Sequence, residues 1–356
     1  MPGYDSEKCS FFTKNLMKWH KNYNFRMMPW KYEKNPYKIW LSEIILQQTR
    51  VEQGTAYYNN FLKKFPNIHK LASAEDSEVF KVWEGLGYYS RCKNLIHTAR
   101  YVSDTLKGIF PTTYEGLLKL KGIGPYTAAA IASFAYNEPY AVLDGNVMRV
   151  LTRFFGLNVP VDTPEGKNHC SHLAEILIDK KNAGLYNQGI MDFGATVCKP
   201  KSPICSACNL SKYCTAFITN QTEKFPVKSK KIKKKNRFFY YIVASFKGKF
   251  YVRKRVEKDI WQNLHEFMLI ERAQKSTVDS VLHHKVLKAL GIETYTFLFA
   301  STHVKQQLTH QTIEACFIQI EIGKKQHIPG FDLVDVNTMK RLAFPKLIKM
   351  WIQSMI

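Results

Sequence analysis

LLKLKGIGPYTAAAIA, running from Leu117 to Ala132, is the stretch on which the fold turns. An apolar helix ends at the tight Gly122-Ile123-Gly124 turn, and Pro125 opens a second helix of small residues. Glycine lets a backbone approach another molecule closely. The unpaired amides at the new helix start point outward and favour an anion. Helix, glycine turn and helix together form a helix–hairpin–helix of the kind that grips a DNA phosphate. A plain helical turn is the alternative, because G-x-G alone is weak evidence.

Two carboxylates flank this hairpin in sequence. Upstream, Asn35 and Pro36 open a helix that carries Glu43 in WLSEIILQQT, among Trp40, Leu41, Ile44, Ile45 and Leu46. A carboxyl in apolar surroundings resists ionisation, which suits a general acid near neutral pH. An exposed helix glutamate is the competing reading. Downstream, Asp144 in AVLDGNVMRVLTRFF is delivered by a short apolar run to a glycine turn with a helix behind it. An aspartate there is commonly just a helix N-cap. As a pair the two suit glycosidic bond cleavage, one protonating the leaving group and one stabilising or attacking the oxocarbenium-like sugar. Spacing and periodicity do not bring them together.

Further on, Cys198, Cys205, Cys208 and Cys214 follow the pattern C-x6-C-x2-C-x5-C. Four thiolates this close can surround one compact metal centre, and both zinc and an iron–sulfur cluster accept four cysteines. Cys9, Cys92, Cys170 and Cys316 lack such clustering and read as ordinary thiols.

Helical patterns also run through Ser77–Trp83, Leu95–Leu106, Tyr126–Ala135, Val147–Phe155 and His169–Leu177, with few alternating strands before Lys224. The composition changes at residues 228–237, KSKKIKKKNR, where seven of ten residues are Lys or Arg. Such a run reads as a solvated linker that can also touch phosphates. Beyond it Phe238–Phe246 is β-branched and aromatic, Lys247-Gly248 turns, and Phe250–Val252 returns. Leu282–Leu290 reads as a helix closed by Gly291, with strands at Tyr295–Phe299 and Glu314–Ile322. The expected division is a helical region over 1–224, a basic linker over 225–237 and a small α+β domain over 238–356.

The 356 residues hold 52 Lys and Arg against 29 Asp and Glu, a formal charge of +23 that favours a polyanionic partner. No apolar run reaches the ~18–20 residues that span a bilayer. The polar amino terminus shows no secretory signal, so a soluble, cytoplasmic protein without disulfides is expected.

The cysteine spacing, the L-K-G-I-G-P-Y-T hairpin and the following V-L-D-G-N-V resemble the helix–hairpin–helix base-excision glycosylases. Within these, PWKYEKNPYKIWLSEIILQQTRVEQ and VWEGLGYYSRCKNL closely resemble the MutY-type adenine DNA glycosylases. The resemblance is strong over roughly 11–220 and weaker to the end of the chain. It implies a [4Fe-4S] cluster on the four cysteines, Glu43 protonating adenine on its five-membered ring, and Asp144 stabilising the sugar cation. By the same resemblance Tyr126 and Asn146 support this chemistry, and Arg26, Trp30 and Gln188 lie near the extruded adenine. Gln48, Thr49 and Tyr88 match residues that probe or wedge the stack beside the oxidised guanine. The implied partner is duplex DNA with adenine opposite 8-oxoguanine or guanine, bound by a monomer.

Tyr126 sets the expected reaction type. The related endonuclease III-type enzymes carry a lysine there whose amine attacks the sugar, and tyrosine has no amine to do so. The carboxy-terminal part resembles the Nudix-like domain of the same family, with YVRKRVEKDIWQNLHEFMLIE as its early segment. The glutamate-rich metal box of active Nudix hydrolases is missing. The family's Phe-Ser-His loop is replaced here by Leu308-Thr309-His310, which keeps a hydroxyl but loses a stacking ring. Three rival readings are a bifunctional glycosylase/lyase, a non-catalytic DNA-binding iron–sulfur protein and a nucleotide hydrolase. Tyr126 opposes the first, the two retained carboxylates the second and the missing box the third.

Overall fold

A computed structural model of the chain describes residues 4–229, 234–283 and 285–355. The chain divides into two compact units, one of Met1–Ser73 with Lys93–Lys230 and one of Ala74–Cys92 with Lys231–Ile356.

The first unit is helical. Asn35 caps the helix Pro36–Leu46 by accepting from the Tyr37 amide at 3.0 Å, and Pro36 takes its first position. The hairpin helix spans Pro125–Tyr136 and the next one Gly145–Phe155, each as the local sequence dictates. Among the longer helices, Ser6–Tyr23, Val51–Lys64 and Ala183–Thr196 had no signal singled out in the sequence. Ser6–Tyr23 and Ala183–Thr196 pack with Gly145–Phe155 around Phe12, Leu16, Val150, Phe154, Ile190 and Phe193, all buried. This core fixes the two helices that carry Asn146 and Gln188.

The second unit is built on one sheet. Its strands are β1 (Lys235–Phe246), β2 (Lys249–Lys254), β3 (His265–Glu266), β4 (Met268–Arg272), β5 (Tyr295–Ala300), β6 (Val304–Gln307), β7 (Gln311–Ile322) and β8 (Asp332–Val334). The spatial order is β3-β2-β1-β7-β5, with β4 also on β1, β6 on β7 and β8 on β2. β1 and β7 run parallel from Lys235 opposite Gln311 to Ser245 opposite Glu321, and the other pairs are antiparallel. Lys247 and Gly248 both have positive φ, which the tight β1–β2 hairpin requires.

Two expectations change. The helix expected over Leu282–Leu290 is two short helices, Val278–Leu282 and Lys285–Ala289, because Thr277 starts the first earlier by accepting from the Ser280 amide. The stretch 225–237, expected as a linker, is structured at both ends. Phe225 is buried and the Val227 carbonyl accepts from Val161, while Lys235, Asn236 and Arg237 already belong to β1. Residues 230–233 of that run lie outside the described residues.

Candidate active site

One cavity of about 150 Å³ in the helical unit gathers eight of the residues singled out from sequence: Arg26, Trp30, Glu43, Thr49, Tyr126, Asp144, Asn146 and Gln188. Glu43 reaches it because Pro36–Leu46 is apolar on nearly every side, so the whole helix is interior. The side chain is not an exposed helix glutamate, since the residue is only 5% exposed. Burial pushes its carboxyl up to about 7; the Tyr126 hydroxyl bond pulls the other way and the nearby Asp144 adds to the rise. Tyr126, the second residue of its helix, is pushed up in turn by burial and by both carboxylates, so its hydroxyl stays protonated and donates.

Asp144 satisfies both of its readings. It caps Gly145–Phe155, accepting from the Val147 amide at 2.7 Å, and it also lines the cavity. Its second oxygen accepts from Asn146 Nδ2 at 2.8 Å. Burial raises its pKa while these bonds oppose the rise. Asn146 is held from behind by Arg149, whose Nη2 donates to Asn146 Oδ1 at 2.8 Å and to the Gly194 carbonyl at 2.7 Å. Arg149 Nε donates to the Cys198 carbonyl at 2.8 Å. A Cβ on Gly194 would come within 2.7 Å of Asn146 Cβ, which accounts for a glycine there.

The opposite wall holds a residue that sequence reading missed. Asp192 is wholly buried and accepts from Arg26 at 2.8 Å, Asn24 at 2.9 Å and Gln188 at 3.0 Å, with Lys31 at 3.6 Å. The only sequence signal was an aspartate in an otherwise apolar and small stretch, IMDFGA, a place where carboxylates need partners. Trp30 completes this wall, edge-on to Tyr58 at 5.2 Å.

Other sequence-selected residues lie outside this cavity. Gln48, beside Thr49, and Tyr88 both hold positive φ (59° and 48°), strained for residues with a Cβ and frequent where side chains are aimed for function. Within the second unit the Tyr88 hydroxyl bonds the Thr309 hydroxyl. Thr309 and His310 are exposed at the β6–β7 turn, which Leu308 closes by donating to the Gln311 carbonyl at 2.8 Å. In the hairpin, Gly122 has φ 81° and packs on Asn94, whereas Gly124 faces open space. No side chain caps the helix that follows, so its first amides stay uncapped.

Cys198, Cys205, Cys208 and Cys214 all line a second cavity with Arg153. Arg153 Nη1 lies 3.4 Å from the Cys198 sulfur and the Leu210 amide 3.4 Å from that of Cys208. Burial pushes the Cys208 thiol up to about 12, with the neighbouring cysteines adding to the rise, so ionising it calls for a compensating cation. Among the described residues no three His, Cys, Asp or Glu side chains converge on a single-ion site. All eight cysteines are free.

Residues 41–175 match the HhH-GPD superfamily of base excision DNA repair proteins, and residues 239–354 match the NUDIX domain. The helical unit thus defines a base-excision repair class. A thermostable thymine-DNA glycosylase of known structure superposes with TM-score 0.56 at 28% identity, covering 60% of this chain and 98% of its own. The adenine DNA glycosylase of Buchnera aphidicola subsp. Schizaphis graminum is 35% identical over 78% of this chain and 82% of its own length. That of Arabidopsis thaliana is 32% identical over 88% of this chain and 58% of its own. The chain belongs to the adenine DNA glycosylase family.

Proposed function

We propose that the protein hydrolyses the N-glycosidic bond of adenine mispaired with 8-oxoguanine, or with guanine, in duplex DNA. It is a DNA N-glycosylase. The observation that carries the reading is the single cavity holding Glu43, Tyr126, Asp144 and Asn146 together.

The bond cannot be reached inside a stacked duplex, so adenine is extruded first, at lower cost from a mispair. Arg26, Trp30 and Gln188 receive the base. Glu43, still protonated near neutral pH, donates to the five-membered ring and makes the base a neutral leaving group. The sugar gains oxocarbenium character, and Asp144, held by Val147 and Asn146, faces it as a carboxylate that stabilises or traps the cation. Water then completes the hydrolysis. Tyr126 offers no amine, so no Schiff base forms and the strand is left intact.

In this reading residues 1–224 perform excision and bind phosphate at Gly122 and Gly124, 225–237 is a basic connection, and 238–356 reads the lesion. Gln48, Thr49 and Tyr88 probe the stack, and Thr309 and His310 contact the oxidised guanine. The protein acts as a monomer. Cys198, Cys205, Cys208 and Cys214 hold a [4Fe-4S] cluster, which when bound cross-links its loop through iron–thiolate bonds. Arg149 ties the same loop to Asn146. Among the described residues no helix is long and apolar enough to cross a membrane.

Single-turnover cleavage of duplexes with adenine opposite 8-oxoguanine, guanine or thymine tests the proposal. Strand breaks only after hot alkali, fastest opposite 8-oxoguanine, are expected. Breaks without alkali would mean a lyase, and binding without excision would mean a recognition module.

A further inference from the structure

The donors around Asp192 do more than neutralise a buried charge. A carboxylate has only acceptors, so the Gln188 carboxamide must turn its nitrogen toward Asp192 and its oxygen away. Turning the amide over would set oxygen against oxygen inside the protein. Among the described residues Gln188 Oε1 has no hydrogen-bond partner, and Gln188 lines the cavity. Arg26 spends Nη1 on the same carboxylate and lines the same cavity as Gln188, with its other N–H groups as further donors. Lys31 Nζ, itself buried, donates to the Arg26 carbonyl at 2.6 Å and fixes that segment against Asp192. Asn24 Nδ2 donates to the same Asp192 oxygen as Gln188 and bonds His20 at 2.8 Å, which closes the cluster on its far side.

We propose that Asp192 is a positioning residue that sets base specificity by locking the polarity of this wall. An acceptor at Gln188 beside a donor at Arg26 matches a base with an amino group next to a ring nitrogen, as adenine has. It mismatches a 6-oxo purine, which presents an acceptor and an N–H. This rests on the adenine reading above and adds to it a residue that touches no substrate.

Asp192→Asn tests it, because an amide there can donate to a Gln188 that has turned over, so both polarities become allowed. Single-turnover excision of adenine and of hypoxanthine, each opposite 8-oxoguanine, gives a rate ratio. The expected result is a fall of about tenfold or more in the adenine-to-hypoxanthine ratio, with duplex affinity held. In a Gln188→Met background the same substitution is expected to leave the ratio unmoved, since the group it acts through is gone. Equal loss for both bases, an unchanged ratio, or an undiminished effect in the Gln188→Met background would overturn the proposal. If Asp192→Asn does not fold, Gln188→Met alone must lower the ratio to the same degree, and an unchanged ratio there overturns it too. Wild-type protein that excises neither base would refute the adenine reading instead.

Discussion

Glu43 in the helical unit and Glu266 in the sheet unit are both buried, at 5% and 1% exposure, yet their surroundings are opposite. Glu43 has a tyrosine hydroxyl and a second carboxylate beside it. Glu266 accepts from Arg253 at 2.7 Å and from Arg255 at 3.0 Å. The same network continues through Asp259, which Arg237 and Arg255 both engage, and on to Glu271. Burial raises both Glu43, to about 7, and Glu266, but the arginines beside Glu266 pull it back, and the hydrogen bond from Arg237 holds Asp259 down at about 2. The acid proposed to give up a proton near neutral pH has a hydroxyl and a carboxylate beside it, whereas the acids of the sheet unit are neutralised by arginines. The second arrangement also commits Asp259, Glu266 and Glu271 to arginines, so they are not free to ligate a divalent cation as a nucleotide hydrolase would require.

The largest test of this contrast is Glu43→Gln. It should lower single-turnover excision by about 10²–10⁴-fold, the usual worth of a positioned acid, while gel-shift affinity for the mispair is kept. Retained turnover would remove Glu43 from its role. On the other side, Glu266→Gln should lower the stability of the sheet unit by ~3–5 kcal/mol in thermal or denaturant unfolding, because Arg253 and Arg255 lose their buried counter-charge. A change near zero would mean that the arginines are well solvated without it.

A third test uses the same Glu43→Gln protein and looks at stability. Free glutamate titrates at 4.5 and the buried Glu43 at about 7, so between these values the folded state keeps a proton that the unfolded chain has lost. Stability therefore falls as pH rises from 4.5 to 7, and above 7 the full cost is roughly 3 kcal/mol. Gln cannot titrate, so the variant should gain on wild type at pH 8 and lose that gain below pH 5. Wild-type excision should also decline about tenfold per pH unit above 7 as Glu43 ionises. The smallest effect is expected from Tyr88→Phe. It deletes the bond to Thr309 and should change the preference for 8-oxoguanine over guanine by only a few-fold, near the worth of one hydrogen bond.

Local chemistry is where the sequence was most legible. Asn35-Pro36, the Gly122–Pro125 turn and Lys247-Gly248 each state their own backbone geometry within a few residues. Glu43 and Asp144 were legible from their own surroundings, resemblance supplied Arg26, Trp30, Thr49, Tyr126, Asn146 and Gln188, and the structure gathers these eight at one cavity. What stayed hidden depends on distant partners. Asp192 draws its donors Arg26 and Asn24 from 166 and 168 residues away, which no local pattern records. The grouping of Ala74–Cys92 with the sheet unit is equally long-range: buried Glu84 accepts from Lys349 at 2.5 Å and from the Phe344 amide at 3.0 Å.

The parallel pairing of β1 with β7 bears on how the chain is made. β1 meets β2 across a two-residue turn and pairs β4 soon after, but the parallel strand β7 begins only at Gln311, opposite Lys235. During synthesis FFYYIVASF thus emerges long before the strand that will cover one edge of it, and an exposed apolar strand of this kind recruits other chains. The seven positive residues packed into 228–237 stand directly upstream. Charges flanking an apolar strand are the composition that keeps like chains apart by repulsion while such a strand is uncovered.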